Sequence, residues 1–269
     1  MGETRAIITG ASGTFGRAIT AVLVARGARV VGLDLVASDD PLVLACDVTD
    51  DESVRTACAA AIERLGGVDL LINNAGVGGP AAAADPPDEV VRRQMEVNLF
   101  GAWRVSAACA NALAASRGHV VMVASRMVVM PLPLAAAYGV SKRALVAYAD
   151  ALRLELAPLV SVTCVYPSMV RSPIHDSTAD AGLSLEGVSQ FEPLEGIVAA
   201  VLRAATGRDR DLATTRRGRV EFFLGRHFPR LSDRIVSRTV ARRIESGAFE
   251  RAPIARDMVE RHRLGRPSP

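Results

Sequence analysis

Thr9-Gly10-Ala11-Ser12-Gly13-Thr14-Phe15-Gly16 is the stretch whose reading decides the fold of this chain. Before it stands Arg5-Ala6-Ile7-Ile8-Thr9, a short apolar run of the kind that forms a buried strand. After it, from Thr14 to about Arg26, Ile19, Val22 and Leu23 share one helical face, and Gly27 supplies a stop. Three glycines between a strand and a helix have a physical use. Without side chains, the main-chain N–H groups can approach a pyrophosphate, and the helix N-terminus adds positive potential and free donors. The turn therefore predicts a dinucleotide phosphate site at Gly10, Ser12, Gly13, Thr14, Phe15 and Gly16. Glycine also simply makes turns; it is the strand-turn-helix placement that gives the triplet weight.

The same rhythm continues outward. Residues 28–34, 42–46, 68–73, 119–125, 160–165 and 211–215 read as further strands. Helices are expected at 50–65, 87–115, 135–156 and 193–206. Such alternation predicts an α/β fold in a single domain over 1–269: a doubly wound, Rossmann-like parallel sheet of about seven strands with helices on both faces. The pattern breaks at 171–192, where Pro173, Gly182, Gly187 and several Ser and Asp read as a substrate loop. Residues 216–269 form a basic tail. There Phe222, Phe223, Phe228, Leu231, Ile235, Val236, Val240 and Ile244 are spaced among arginines as in one or two amphipathic helices, before a frayed Pro267-Ser268-Pro269 end.

Composition narrows the class. No apolar stretch approaches the roughly 18 residues of a membrane helix, and no signal peptide is visible, so a cytoplasmic protein is expected. Cys46, Cys58, Cys109 and Cys164 stand apart in sequence, which suggests neither a disulfide framework nor a metal site. Charge is uneven: residues 1–202 hold 15 basic and 21 acidic side chains, residues 203–269 hold 17 and 8. Of the 32 basic residues, 31 are arginine; the only lysine is Lys142.

That lysine follows Tyr138 by four positions on an expected helix, so the two share a face. Ser125 lies at the end of the preceding strand, where open parallel sheets bind ligands. A phenol ordinarily titrates near 10; an adjacent ammonium lowers that value, and the tuned phenol can exchange a proton with a carbonyl or alcohol oxygen that a serine hydroxyl also holds. Asp34 ends the second strand. Its carboxylate can accept ribose hydroxyls and repel a 2′-phosphate, which favours NAD over NADP; a solvated strand-end aspartate is the alternative.

Further motifs stand in order around these residues: Cys46-Asp47-Val48, Asn73-Asn74-Ala75-Gly76, Val97-Asn98, and Tyr166-Pro167-Ser168-Met169-Val170-Arg171-Ser172. From about Thr4 to Ser172 the chain resembles the short-chain dehydrogenase/reductase family in its compact branch. The resemblance implies Tyr138 as acid-base, Lys142 as the residue that lowers its pKa and binds the nicotinamide ribose, and Ser125 as the group that orients the substrate oxygen. It implies that Asn98 holds a relay water, and that Asp47 and Val48 meet adenine. Asn74, Ala75 and Gly76 would line the adenosine side or tie the central strands, and Pro167, Val170 and Ser172 would sit by the nicotinamide. Three departures stand out: Thr14 where the branch usually has glycine, Ser168 in place of a glycine, and a tail without the glycine-rich strand end common in tetrameric members.

The implied activity is hydride transfer between NAD and a hydrophobic secondary alcohol or ketone. Met127, Val128, Val129, Met130, Leu132, Leu134, Ile174, Leu183 and Leu185 supply apolar side chains near Ser125 and in the loop, whereas Arg126 and His175 are expected on the surface. Three alternatives stay open: a non-catalytic NAD sensor, a membrane-surface contact through the tail, and a nucleic-acid contact. The interleaved aromatics favour a tail packed on the body or on a second subunit of a homo-oligomer (dimer or tetramer) over both surface contacts.

Overall fold

In the computed structural model, which describes residues 3–36, 40, 42–183 and 191–264, the apolar runs pair side by side as parallel strands. These are β1 (Arg5–Thr9), β2 (Arg29–Asp34), β3 (Val43–Ala45), β4 (Leu70–Asn73), β5 (His119–Val123), β6 (Ser161–Tyr166) and β7 (Asp211–Ala213). Their order is β3-β2-β1-β4-β5-β6-β7, a doubly wound sheet whose direction of winding reverses between β1 and β4. Ile7 and Ile8, adjacent in β1, point to opposite faces and both are fully buried. Ile7 joins Leu33, Leu71, Leu113 and Leu145 in one core; Ile8 joins Leu23, Ile72, Ile197 and Val201 in the other. Burial of each such side chain contributes about 1.5–3 kcal/mol.

The second core is covered by α1 (Thr14–Ala25) and α7 (Leu194–Thr206). The first is covered by α2 (Asp51–Leu65), α4 (Ala102–Ser116) and α5 (Ala136–Glu155). Caps set the helix starts: the Asp50 carboxylate accepts from Ser53 N at 2.6 Å, and Asp88 accepts from Val91 N at 2.9 Å at the start of α3 (Glu89–Met95).

Several elements differ from their sequence expectation. The helix expected over 87–115 is two helices, α3 and α4, joined by a π-turn at Glu96–Gly101. Asn98 lies inside that turn, its side chain drawn from the helix to the backbone of Val77. Ser125 is not in β5, which ends at Val123; it opens a 3₁₀ turn, Arg126–Val128, and its hydroxyl accepts from Met127 N at 3.2 Å. The expected loop 171–192 contains a 3₁₀ turn (Pro173–His175) and the short α6 (Asp176–Asp180). Leu185 and Gly187 of that loop, and the Pro267–Pro269 end, lie outside the described residues. The tail holds three helices rather than one or two: α8 (Arg216–His227), α9 (Pro229–Glu245) and α10 (Arg256–Leu264). All four cysteines are buried free thiols; Cys58 on α2 meets Cys109 on α4 across the helices, and the hydrogen bond between them, with burial, pushes the Cys58 thiol up.

Candidate active site

A cavity of about 1350 Å³ opens at the carboxyl ends of the strands. It exceeds the roughly 300–1,000 Å³ of an ordinary small-molecule site. At one end lies the glycine turn. Gly10 has φ of +65°, and a Cβ there would stand 2.9 Å from Ala75 Cα. A Cβ on Gly16 would stand 2.1 Å from the Gly10 carbonyl oxygen, so α1 packs directly under the turn. Gly13, the N-cap of α1, makes no side-chain cap bond, and the first turn holds no acid. Its end donors and positive potential thus face the cavity, a cradle that fits the diphosphate of a dinucleotide. Ser12, Gly13, Thr14 and Phe15 line this end; Gly16 lies beneath it. The Asp34 carboxylate, also at the cavity wall, accepts from Ser12 N at 2.8 Å and from Val36 N at 3.3 Å.

Around this cradle the expected adenosine residues divide. Asp47 and Val48 line the cavity, and Asp47 Oδ1 accepts from Thr49 N at 2.9 Å and Thr49 Oγ1 at 2.7 Å, which holds that carboxylate below its ordinary range. Asn74, Ala75 and Gly76 line the cavity too, and Asn74 also ties the fold: Nδ2 donates to Thr9 O at 2.9 Å and Gly10 O at 3.1 Å. Ala75 N donates to Thr9 Oγ1 at 3.0 Å. Strand β4 is thereby tied to the turn after β1.

The other end of the cavity holds the residues expected to exchange a proton, Ser125, Tyr138 and Lys142. Tyr138 is half-buried because it lines the cavity, yet its hydroxyl lies deep enough that burial pushes the phenol up to about 12, against a hydrogen bond with Ser125. Lys142 is only 3% exposed; burial brings its ammonium down to about 8, and Nζ donates to Val123 O at 2.9 Å. Nζ stands 5.9 Å from the Tyr138 ring centroid. The expected lowering of the phenol by Lys142 is therefore not found: desolvation outweighs an ammonium that is turned to a backbone carbonyl.

Asn98 sits behind Lys142. Its Oδ1 accepts from Val77 N at 2.8 Å, and Nδ2 donates to Val77 O and Ser141 Oγ, both at 3.0 Å. The amide thus staples the π-turn to the strand end and to α5. Gly76 makes room for both: a Cβ there would stand 3.2 Å from Asn98 Oδ1 and 3.3 Å from Lys142 Nζ. Pro167, Val170 and Ser172 line the wall beyond β6.

The surface placement expected for Arg126 and His175 is corrected. Arg126 is 13% exposed, forms an ion pair with Glu221 of α8, and donates to Ser168 Oγ. The serine that replaces a glycine therefore has a use, and its own N–H donates to the buried Glu192 at 2.6 Å. His175 lines the cavity half-buried, and that burial lowers its imidazole.

Sequence reading missed the far wall. Leu224, Leu231, Ile235, Val236 and Val240 of the tail line the cavity together with Phe249. Gly225 brings α8 against the loop after Ser125, since a Cβ there would stand 2.6 Å from Val129 O. Gly182, at φ +76°, faces the Arg251 carbonyl at 2.2 Å from a notional Cβ, and Leu134, Leu183, Ala252 and Ala255 close a small core between loop and tail. The apolar stripe at 231, 235, 236 and 240 was visible in the sequence; its destination was not.

A profile of the short chain dehydrogenase family matches residues 4–182. This chain belongs to that family. A protein of Streptomyces violaceoruber, named as the granaticin polyketide synthase ketoacyl reductase 1, is 32% identical over 212 residues, 71% of this chain and 77% of that one. Among solved structures, a short chain dehydrogenase from Burkholderia cenocepacia in complex with NADP superposes with a TM-score of 0.74 at 25% identity, covering 88% of this chain and 99% of that one. A 3-ketoacyl-(acyl-carrier-protein) reductase from Brucella melitensis complexed with NADH gives 0.69 at 25% identity, covering 79% and 96%. The short-chain dehydrogenase fold thus carries an NAD(P)-binding, oxidoreductase architecture over two thirds of the chain, and the matched region stops before the tail helices.

Proposed function

We propose that this short-chain dehydrogenase moves a hydride between NAD and a hydrophobic secondary alcohol or ketone, with Tyr138 as its acid-base residue. The observation that carries the reading is that Ser125, Tyr138 and Lys142 line one cavity together with a side-chain-free phosphate cradle. Gly10, Gly13 and the start of α1 would hold the diphosphate, Asp34 the adenosine ribose, and Lys142 the nicotinamide ribose. The nicotinamide supplies or takes up the hydride when bound. Tyr138 donates its phenolic proton to the carbonyl oxygen in reduction, and its phenolate takes the alcohol proton in oxidation. Ser125 donates a hydrogen bond to the same oxygen as charge develops there. A phenol near 12 is protonated at neutral pH, so the site as described stands ready as an acid. Oxidation should therefore quicken as pH rises toward the phenol's pKa, while reduction should fade above it.

Asp34 supports NAD: a 2′-phosphate would meet a carboxylate already fixed by the Ser12 and Val36 N–H groups. The apolar wall contributed by Met127, Met130, Leu132, Leu224, Ile235 and Phe249 supports a hydrophobic chain beside the reacting oxygen, in keeping with the ketoacyl substrates in the relatives' names. A non-catalytic sensor would have no use for the Ser125–Tyr138 pair or for a lysine buried behind it. Exposed Phe100, Trp103 and Val140 on the sheet's outer helices support homo-oligomerisation.

Two measurements test the reading. With NADH and medium-chain ketones, Tyr138→Phe should lower kcat by about 10³-fold, while its NADH fluorescence titration stays near the parent's. Near-parent turnover in that variant would remove Tyr138 from the chemistry. Asp34→Ala should weaken NADH several-fold and erase discrimination against NADPH; a parent enzyme that already prefers NADPH overturns the role given to Asp34.

A further inference from the structure

Helices α8 and α9 of the tail have two apolar sides, and among the described residues one side is packed and the other is exposed. The inner side of α8 and α9 faces the cavity and the body, where Phe222 packs on Tyr166 with ring centroids 4.4 Å apart. The outer side is uncovered among the described residues. Val220, Phe223 and Phe228 are 58%, 54% and 52% exposed, and Leu231 and Ile235 continue the strip along α9. Phe223, His227 and Phe228 gather at the α8–α9 corner, with ring centroids 4.6 and 6.3 Å from Phe223. Arg219, Arg226, Arg230, Arg234 and Arg238 are exposed along the same two helices. Residues 216–245 contain nine arginines against three acids, and one of those acids, Glu221, is taken up by Arg126 and Arg217.

From this arrangement we infer that the α8–α9 corner docks the protein on an anionic lipid surface. Phenyl and aliphatic side chains would enter the headgroup boundary while the arginines meet lipid phosphates, the division of labour of an interfacial amphipathic helix. Among the described residues no helix is long and apolar enough to cross a membrane, so the contact is a surface one. Leu231 and Ile235 belong both to the exposed strip and to the cavity wall, so the cavity opens on the docking face. A hydrophobic substrate dissolved in the lipid would reach Tyr138 through that opening. The sequence alone favoured a tail packed on the body or on a second subunit; the structure shows one side packed and the other left with charge and apolar area that an anionic interface complements. Nucleic acid is the weaker match, because the centre of the patch is aliphatic and phenyl surface rather than a charged groove.

The inference is independent of the proposed reaction. Co-sedimentation of the full chain with vesicles tests it, using phosphatidylcholine alone against phosphatidylcholine mixed with phosphatidylglycerol. The expected result is binding to the mixed vesicles, at least about tenfold weaker on neutral ones, and reversal by high salt. Phe223→Ser with Phe228→Ser, and separately Arg226→Gln with Arg230→Gln and Arg234→Gln, should each weaken mixed-vesicle binding by about tenfold or more. NADH titration and turnover of a short soluble ketone, read on the same preparations, should match the parent's and show that the variants are folded. Equal vesicle binding by parent and variants overturns the inference, as does the absence of any vesicle binding. So does a shift from dimer to monomer in the phenylalanine variant without a loss on vesicles, which would assign the face to a second copy of this chain. Loss of soluble-ketone turnover in the parent itself would strike the proposed reaction and leave the docking result standing.

Discussion

Gly16 and Gly225 perform the same act in two different regions. Each lets a helix press on a backbone carbonyl: a Cβ would stand 2.1 Å from Gly10 O in the first case and 2.6 Å from Val129 O in the second. Gly16 meets a residue six positions earlier, whereas the partner of Gly225 lies 96 positions earlier. The first contact is therefore written in local spacing and defines the cofactor end. The second joins the tail to the loop after Ser125 and shapes the other end of the cavity. The glycine turn is fastened by a contact between near neighbours in sequence, while the tail is fastened by long-range ones that no motif announces.

The largest break in this comparison should come from Gly16→Ala. The added methyl meets backbone that cannot rotate away, so the turn must open. The expected loss is about 100-fold or more in NADH affinity, with about 3 kcal/mol or more of stability, measured by fluorescence titration and urea unfolding.

Lys142→Met probes the body differently. The buried ammonium of the folded protein titrates at about 8, below its ordinary value of 10.5. The unfolded chain therefore binds more protons between those two values, and stability should rise with pH across that window; the cost of burying the charge is fully present below about 8. Replacing lysine by methionine of similar volume should remove that pH dependence and raise stability by about 1–3 kcal/mol, while turnover falls about 10²-fold or more. Urea midpoints across pH, compared with the parent, read the first effect. An unchanged pH profile would mean that the ammonium is not desolvated.

Gly225→Ala should have the smallest effect and the most selective one. Overpacking against Val129 is expected to cost about 1–2 kcal/mol and to lift α8 from the catalytic loop. KM for a long-chain ketone should rise several-fold with NADH affinity unchanged. A variant that lost NADH affinity instead would show that the two ends of the cavity are not separable.

How far each feature could be read from sequence follows the same division. Short apolar runs taking turns with amphipathic helices made the sheet readable, because both patterns are local. The π-turn was hidden, since Asn98 leaves the helical pattern only through bonds to Val77 and Ser141. Arg126 looked like surface because its partner, Glu221, comes from a helix 95 positions later. The titration of Tyr138 was read from the nearest charge in sequence; burial sets it in the other direction, and burial belongs to the whole fold.

The sequence by itself determined the glycine turn, the alternation that winds the sheet, and the pairing of Tyr138 with the only lysine, each fixed by spacing within a few residues. Tertiary structure alone decided which side of the arginine-rich tail packs on the body. Its apolar stripe could pack on the body, on another subunit or on lipid, and the choice depends on surfaces contributed by residues far away in the chain. That dependence is why one side of α8 and α9 became the wall of the cavity while the other remained open.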